Sequence, residues 1–294
     1  MKVRMYNVGF GDCFCLRDRK KSLLVDFGTN NSRIEGRPRR EIFDVIISDL
    51  STIKSKNLLL THFHMDHLSG LLYMMKKKDI SVDFGKIYLP DVFSKKEMSR
   101  TLVLLLLADL LKESGLPSRQ VSLFALVDAL LENKQNVELL SRGKLFENKY
   151  QALWPDTDVI RKETDEVYNR ICEDGKFKEV MDVLLEFAEK LRLIVWSMTA
   201  EGNKPAETVE KETDLTASEL TEQPEVRQKI IRAYVYEREF RRIKALPDFK
   251  KLLAWLNENQ INLRQFKHKI SIVFQNARDG ELNLCLPGMH SLSI

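Results

Sequence analysis

The 294-residue chain is poor in the residues that mark several familiar architectures. It has four cysteines, at 13, 15, 172 and 285. That is too few for a disulfide framework and points to a reducing compartment. With 12 glycines and 8 prolines it is neither a collagen-like repeat nor a proline-rich linker. No apolar run approaches the ~20 residues that span a bilayer, and the longest, residues 102–111, includes Asp109. The opening MKVRMYNVGFGDC has no apolar segment, so no secretory leader is expected, and the expected location is the cytoplasm without membrane attachment. Neither sign of charge dominates: 47 Lys+Arg against 43 Asp+Glu leaves +4, which permits a polyanionic partner without requiring one. Histidine is scarce too, five in all, so its placement is informative.

What is present is a β-rich frame interrupted by helical segments. Residues 3–6, 13–16, 22–26, 57–60 and 87–90 are short apolar runs ended by glycine, proline or polar residues, as buried strands are. Residues 1–94 are read as the first half of a core. A leucine-rich helical insertion follows at 95–142, with Ser118 a helix N-cap candidate after Leu116-Pro117. A core strand is read at 143–157. A second helical insertion at 158–266 includes one face formed by Val180, Val183, Leu184, Phe187 and Leu191. Within it, 201–225 carries eight acidic residues against two lysines and reads as a mobile surface loop. Residues 267–294 close the core as a hairpin, with strands at 270–274 and 282–286 around Asp279-Gly280.

The chemistry concentrates in residues 61–67, THFHMDH, which hold three of the five histidines. His62 and His64 are two apart on a strand that is ending, so both imidazoles can reach one cation. Asp66 and His67, at the start of a helix, can turn toward a second. Imidazole with carboxylate suits Zn²⁺, with Mn²⁺ or Fe as alternatives. In a chain with so little histidine, the pattern arises by accident with a chance of roughly 10⁻⁴.

This segment has the HxHxDH form of the metallo-β-lactamase-fold hydrolases, and other segments resemble that superfamily in order. Residues 22–28 (SLLVDFG) are similar to the strand that opens its active site. Residues 6–14 (YNVGFGDCF) resemble the NVGxGD opening of its DNA-uptake competence branch, the ComEC-type proteins. Leu153-Trp154-Pro155, residues 271–274 (SIVF) and residues 284–289 (LCLPGM) resemble later segments of that branch. The resemblance implies a metallo-β-lactamase-like αββα sandwich with large helical insertions, whole or incomplete at its C-terminus.

The resemblance also implies two metal ions, zinc first, with His62 and His64 on one and Asp66 and His67 on the other. Asp26 would orient a ligand imidazole, and Asp12 either does the same or serves a turn. Asp66 would help orient a metal-bound hydroxide that attacks a phosphodiester, as in a nuclease acting on nucleic acid. A small ester, lactone or thioester is the second substrate class. Met289 stands where a bridging aspartate belongs, so His290 becomes a candidate ligand, and a partner chain or further C-terminal segment is expected to complete the site. The third reading is a catalytically incomplete scaffold. His268 is read as structural, and Cys13 and Cys15 as core residues. Lys76-Lys77-Lys78 is either a phosphate-tracking run near the site or a solvated helix end. Segment 232–269, basic with Tyr234, Tyr236, Phe240, Phe249 and Trp255 interleaved, is either a nucleic-acid face or an amphipathic helix pair.

Overall fold

The apolar runs of the first ninety residues become strands of one mixed sheet. These are β1 (Lys2–Met5), β2 (Phe14–Asp18), β3 (Lys21–Val25), then, past a two-stranded hairpin of β4 (Arg33–Ile34) and β5 (Arg37–Pro38), β6 (Ser55–Leu59) and β7 (Ile87–Pro90). A sixth strand, β8 (Val137–Leu140), pairs parallel with β7. The sheet order is β1-β2-β3-β6-β7-β8. The first three strands are antiparallel and the rest run parallel to β3. Parallel strands are covered on both faces, which is why β3 from Ser22 onward and all of β7 are buried rather than alternating.

The computed structural model describes residues 2–18, 21–77, 83–112, 122–133, 135–173, 175–200, 242–243 and 245–276. The acidic segment 201–225, Ser118, Lys78, the strand expected at 282–286, Met289 and His290 lie outside the described residues. So do Tyr234, Tyr236 and Phe240. The chain divides into two compact units: Met1–Val92 with Gln135–Lys162 and Arg264–Ile294, and Phe93–Lys134 with Glu163–Leu263.

In the first unit, α1 (Arg39–Ser51) and α2 (Met65–Lys76) lie against the six-stranded sheet. Phe43 of α1 meets Phe27 edge-on at 5.2 Å and Tyr73 of α2 at 5.6 Å. Asp49 ties α1 to the sheet edge, accepting hydrogen bonds from Arg4 at 2.6 Å, Arg17 at 3.1 Å and the Tyr6 hydroxyl. The other face meets a second sheet of β9 (Leu145–Phe146), β10 (Tyr150–Trp154) and β11 (Val273–Asn276). Leu16, Leu23, Val25, Leu59, Tyr88 and Leu140 there pack against Phe146, Tyr150, Ala152, Ile272 and Phe274. Burying each such side chain contributes about 1.5–3 kcal/mol. Helices, mixed sheet and second sheet make the mixed α/β architecture expected of a metallo-β-lactamase-like fold.

The segment read as the helical insertion 95–142 is not helical throughout. Near its end, residues 137–140 form β8, whose VELL continues the leucine-rich composition of the preceding helices. In the second unit, α3 (Ser99–Lys112) buries the leucines at 102, 104, 105, 106 and 107, and α4 (Ser122–Glu132) buries Leu123, Phe124 and Leu126. The stretch after Pro155 is two helices, α5 (Thr157–Cys172) and α6 (Lys178–Ser197). The expected apolar face of α6 is buried, and Phe124 packs on its Phe187 at 5.2 Å. Arg192 of α6 is buried and satisfied by Glu189 at 2.7 Å. In α7 (Pro247–Glu258), Phe249 is buried and Trp255 lies 5.7 Å from Phe177. Of the described aromatics of segment 232–269 in this unit, Phe249 is buried and Trp255 is partly buried. Among the described residues, no helix is long and apolar enough to cross a membrane.

Candidate metal centre

Strand direction assembles the site. Because β3 and β6 run parallel, their carboxyl ends share one sheet edge, and the register Met5–Phe14–Val25–Leu59 brings the β1–β2 turn to that edge. Asp26 follows β3, THFHMDH follows β6, and Asp12 sits in the turn. Open parallel sheets place ligands at this edge.

Asp26 is fully buried and takes a left-handed backbone conformation, φ 55°. A buried carboxylate needs donors, and it has three: Thr61 N at 2.8 Å, Thr61 Oγ1 at 2.7 Å and His67 Nδ1 at 2.9 Å. Since the Thr61 hydroxyl gives its proton to Asp26, it accepts from His62 Nδ1, 3.0 Å away. One carboxylate thereby holds a proton on Nδ1 of two imidazoles, so that in their neutral form Nε2 of both His62 and His67 carries the lone pair.

Those lone pairs face other ligand-type groups. His62 Nε2 lies 2.9 Å from His64 Nδ1, and the ring centroids of His62 and His67 are 3.9 Å apart. His67 Nε2 is 3.8 Å from Asp66 Oδ2, while its Nδ1 is 3.6 Å from Asp12. Burial pushes the His67 imidazole down, but Asp26, Asp66 and Asp12 outweigh it and raise the pKa to about 8. His62 goes the other way: burial and then the imidazoles of His67, His64 and His268 hold it well below the usual histidine range.

Glycines let the loops close over the motif. A Cβ on Gly11 would stand 2.2 Å from the Gly28 carbonyl, and one on Gly28 would stand 2.6 Å from the Asp66 backbone. Only glycine permits these approaches.

His268, read from the sequence as structural, stands at this site. Its ring centroid is 4.7 Å from that of His64 and 5.5 Å from that of His62. It lies on α8 (Arg264–Lys269), which is held by a hydrogen bond from Trp154 Nε1 to the Lys269 carbonyl. Just beyond, Ile272 N donates to Thr61 O at 2.8 Å, joining that segment to the start of the histidine motif. The only sequence signal for His268 is its place beside the apolar 270–274 run. Lys76 and Lys77, by contrast, sit at the far end of α2, about 16 Å along the helix from its start. Lys77 there pairs with Asp44 at 2.6 Å.

Two ligand groups result. The donor atoms of His62, His64 and His268 lie within 4.8 Å of one another, as do those of Asp12, Asp26 and His67. The first group fits a transition metal: three nitrogens about 2.1 Å from one ion stand roughly 3.4 Å apart. The second fits less well, because a His67 Nδ1 that donates to Asp26 cannot also coordinate. At that end of the site His67 Nε2 remains, with Asp66 Oδ2 3.8 Å from it and Asp12 in the same group.

A family model described as the Metallo-beta-lactamase superfamily matches residues 6–91, the stretch from the β1–β2 turn through β7. It takes in Asp12, Asp26 and all of THFHMDH. No curated protein and no solved structure matches the chain. The match supports the fold at the level of the superfamily and does not distinguish the competence branch.

Proposed function

We propose that the protein is a metal-dependent hydrolase whose substrate is a phosphodiester, and that it acts as a nuclease. The observation that carries the hydrolase reading is the apposition of His62, His64 and His268 beside the His67–Asp66 pair, all but His268 lying on the segment that matches the metallo-β-lactamase superfamily. The phosphodiester is supported by the likeness of residues 6–14 to the competence branch opening.

His62 and His64 would hold one cation together with His268, and His67 through Nε2 with Asp66 would hold a second. Zinc is the first candidate. When bound, such ions lower the pKa of a water and neutralise charge on the scissile group's oxygens. The chain's own residues do the rest. Asp26 and Thr61 hold His62 and His67 with Nε2 turned toward the site, and Asp66 would accept a proton from an attacking water.

Metal content of protein purified without chelator, measured by mass spectrometry, tests this together with hydrolysis of bis(p-nitrophenyl) phosphate. Bound transition metal and chelator-sensitive hydrolysis are expected, with both lost in His64→Ala. A protein that takes up no Zn²⁺ or Mn²⁺ would instead be a scaffold.

A further inference from the structure

Beside the metal centre, on the same sheet edge, the turn after β1 presents Phe10 at 75% exposure. A phenylalanine so exposed is usually on a loop free to bury it, but this one is pinned. Phe10 N donates to Asn31 Oδ1 at 3.0 Å, and Phe10 O accepts from Asn30 N at 2.8 Å and Thr29 Oγ1 at 3.2 Å. Gly9 takes φ 70° and donates to Asn7 Oδ1. The main chain that carries the exposed ring is therefore held in place, two residues from Asp12.

The same turn is bonded to a basic hairpin. Asn7 Nδ2 donates to Glu35 Oε1 at 2.7 Å, fastening the β4–β5 hairpin to it. That hairpin and the start of α1 carry Arg33, Arg37, Arg39 and Arg40, all exposed, against Glu35 and Glu41. Arg33 is braced on the Gly36 carbonyl at 2.8 and 3.1 Å. No described carboxylate pairs with the side chains of Arg37, Arg39 or Arg40. Four guanidiniums within eight residues repel one another, and an anion in register relieves this.

We infer that the Phe10 turn and the Arg33–Arg40 segment form a seat for single-stranded nucleic acid, with guanidiniums on successive phosphates and Phe10 under an unpaired base. An exposed ring on a pinned turn beside a run of guanidiniums offers the stacking and phosphate contacts that bind single strands without reading sequence. A duplex keeps its bases stacked and offers Phe10 nothing. As a substrate seat the proposal rests on the phosphodiesterase reading, because it delivers a strand to the edge that carries Asp12, Asp26 and the histidines.

The test is fluorescence anisotropy of a labelled dT12 strand in EDTA, titrated at several salt concentrations against wild type, Phe10→Ala and the triple variant Arg37→Ala/Arg39→Ala/Arg40→Ala. Phe10→Ala should weaken binding by about 5- to 150-fold with the salt dependence unchanged. The triple variant should lower the slope of log K against log salt by about 2, at roughly 0.7 for each phosphate no longer neutralised. The proposal is overturned if wild type does not bind the strand at low salt, if both variants bind as wild type does, or if a duplex of equal length binds as tightly and Phe10→Ala does not affect it. Hydrolysis of bis(p-nitrophenyl) phosphate by wild type keeps the two readings apart. Hydrolysis without strand binding refutes the seat and leaves the chemistry, and strand binding without hydrolysis does the reverse.

Discussion

Asp26 Oδ2 and His67 Nδ1 stand 2.9 Å apart in a fully buried pair, and the same carboxylate oxygen takes the Thr61 hydroxyl that bonds His62. A single side chain at the end of β3 thus orients two imidazoles delivered by the end of β6. The parallel pairing of the two strands makes this geometry, because it puts both carboxyl ends at one edge.

Replacing Asp26 by alanine strands three donors in the interior. Metal-free protein should lose about 3 kcal/mol or more of stability, and metal affinity should fall about 10- to 100-fold. Denaturant unfolding in EDTA and chelator-competition titration measure the two effects separately. If affinity is unchanged while stability falls, Asp26 supports the fold and not the site.

His268→Ala separates a ligand from a bystander. The residue is exposed, so metal-free stability should move by less than about 0.5 kcal/mol. Zinc or manganese affinity, read by the same competition, should drop by at least about tenfold. Unchanged affinity would remove His268 from the proposed metal site.

Gly28→Ala and Gly36→Ala compare close approach with backbone conformation. A Cβ at 28 meets the Asp66 backbone at 2.6 Å, whereas one at 36 meets nothing within 4 Å but inherits φ 78°. The first should cost about 3 kcal/mol and disturb metal uptake. The second should cost about 1 kcal/mol and leave uptake alone. Unfolding midpoints and metal content together check the pair.

Asp49 provides a pH test remote from the histidines. Partial burial works against its charged form, but hydrogen bonds from Tyr6 and Arg4 outweigh that and hold its carboxyl below the usual range. A carboxyl depressed in the folded state contributes stability above its unfolded pKa, about 3.9, and loses that contribution as pH falls through the folded value. Asp49→Asn should therefore cost about 1 kcal/mol at pH 7, and the gap to wild type should close below about pH 4. Chemical denaturation at pH 7, 5, 4 and 3 measures this. A gap constant across the range would show that shape, not charge, matters there.

Much of the site is legible in the sequence because its spacing is local. Two histidines at i, i+2 leaving a strand, followed by Asp66 and His67 on a helix start, bring ligand-type side chains to one end of the strand, and Asp26 then orients two of the imidazoles. SLLVD likewise announces a buried strand ending in a carboxylate. β8 is not legible in this way, because its VELL continues the leucine-rich composition of the helices before it, with no glycine or proline to end it as Pro90 ends β7.

What the sequence by itself determined is a cluster of candidate ligands, His62, His64, Asp66 and His67, and the apolar segments that frame them. What only the tertiary structure decided is who joins them. His268 arrives from far down the chain because Ile272 bonds to Thr61 and Trp154 holds the Lys269 carbonyl, contacts that no local pattern encodes. Phe10 and the arginines of the β4–β5 hairpin become neighbours of the site only because antiparallel β1 and β2 turn at the edge where parallel β3 and β6 end. Periodicity reports the face that one element buries. Which elements share an edge is set by strand pairing over long sequence separations, and that information resides in the fold.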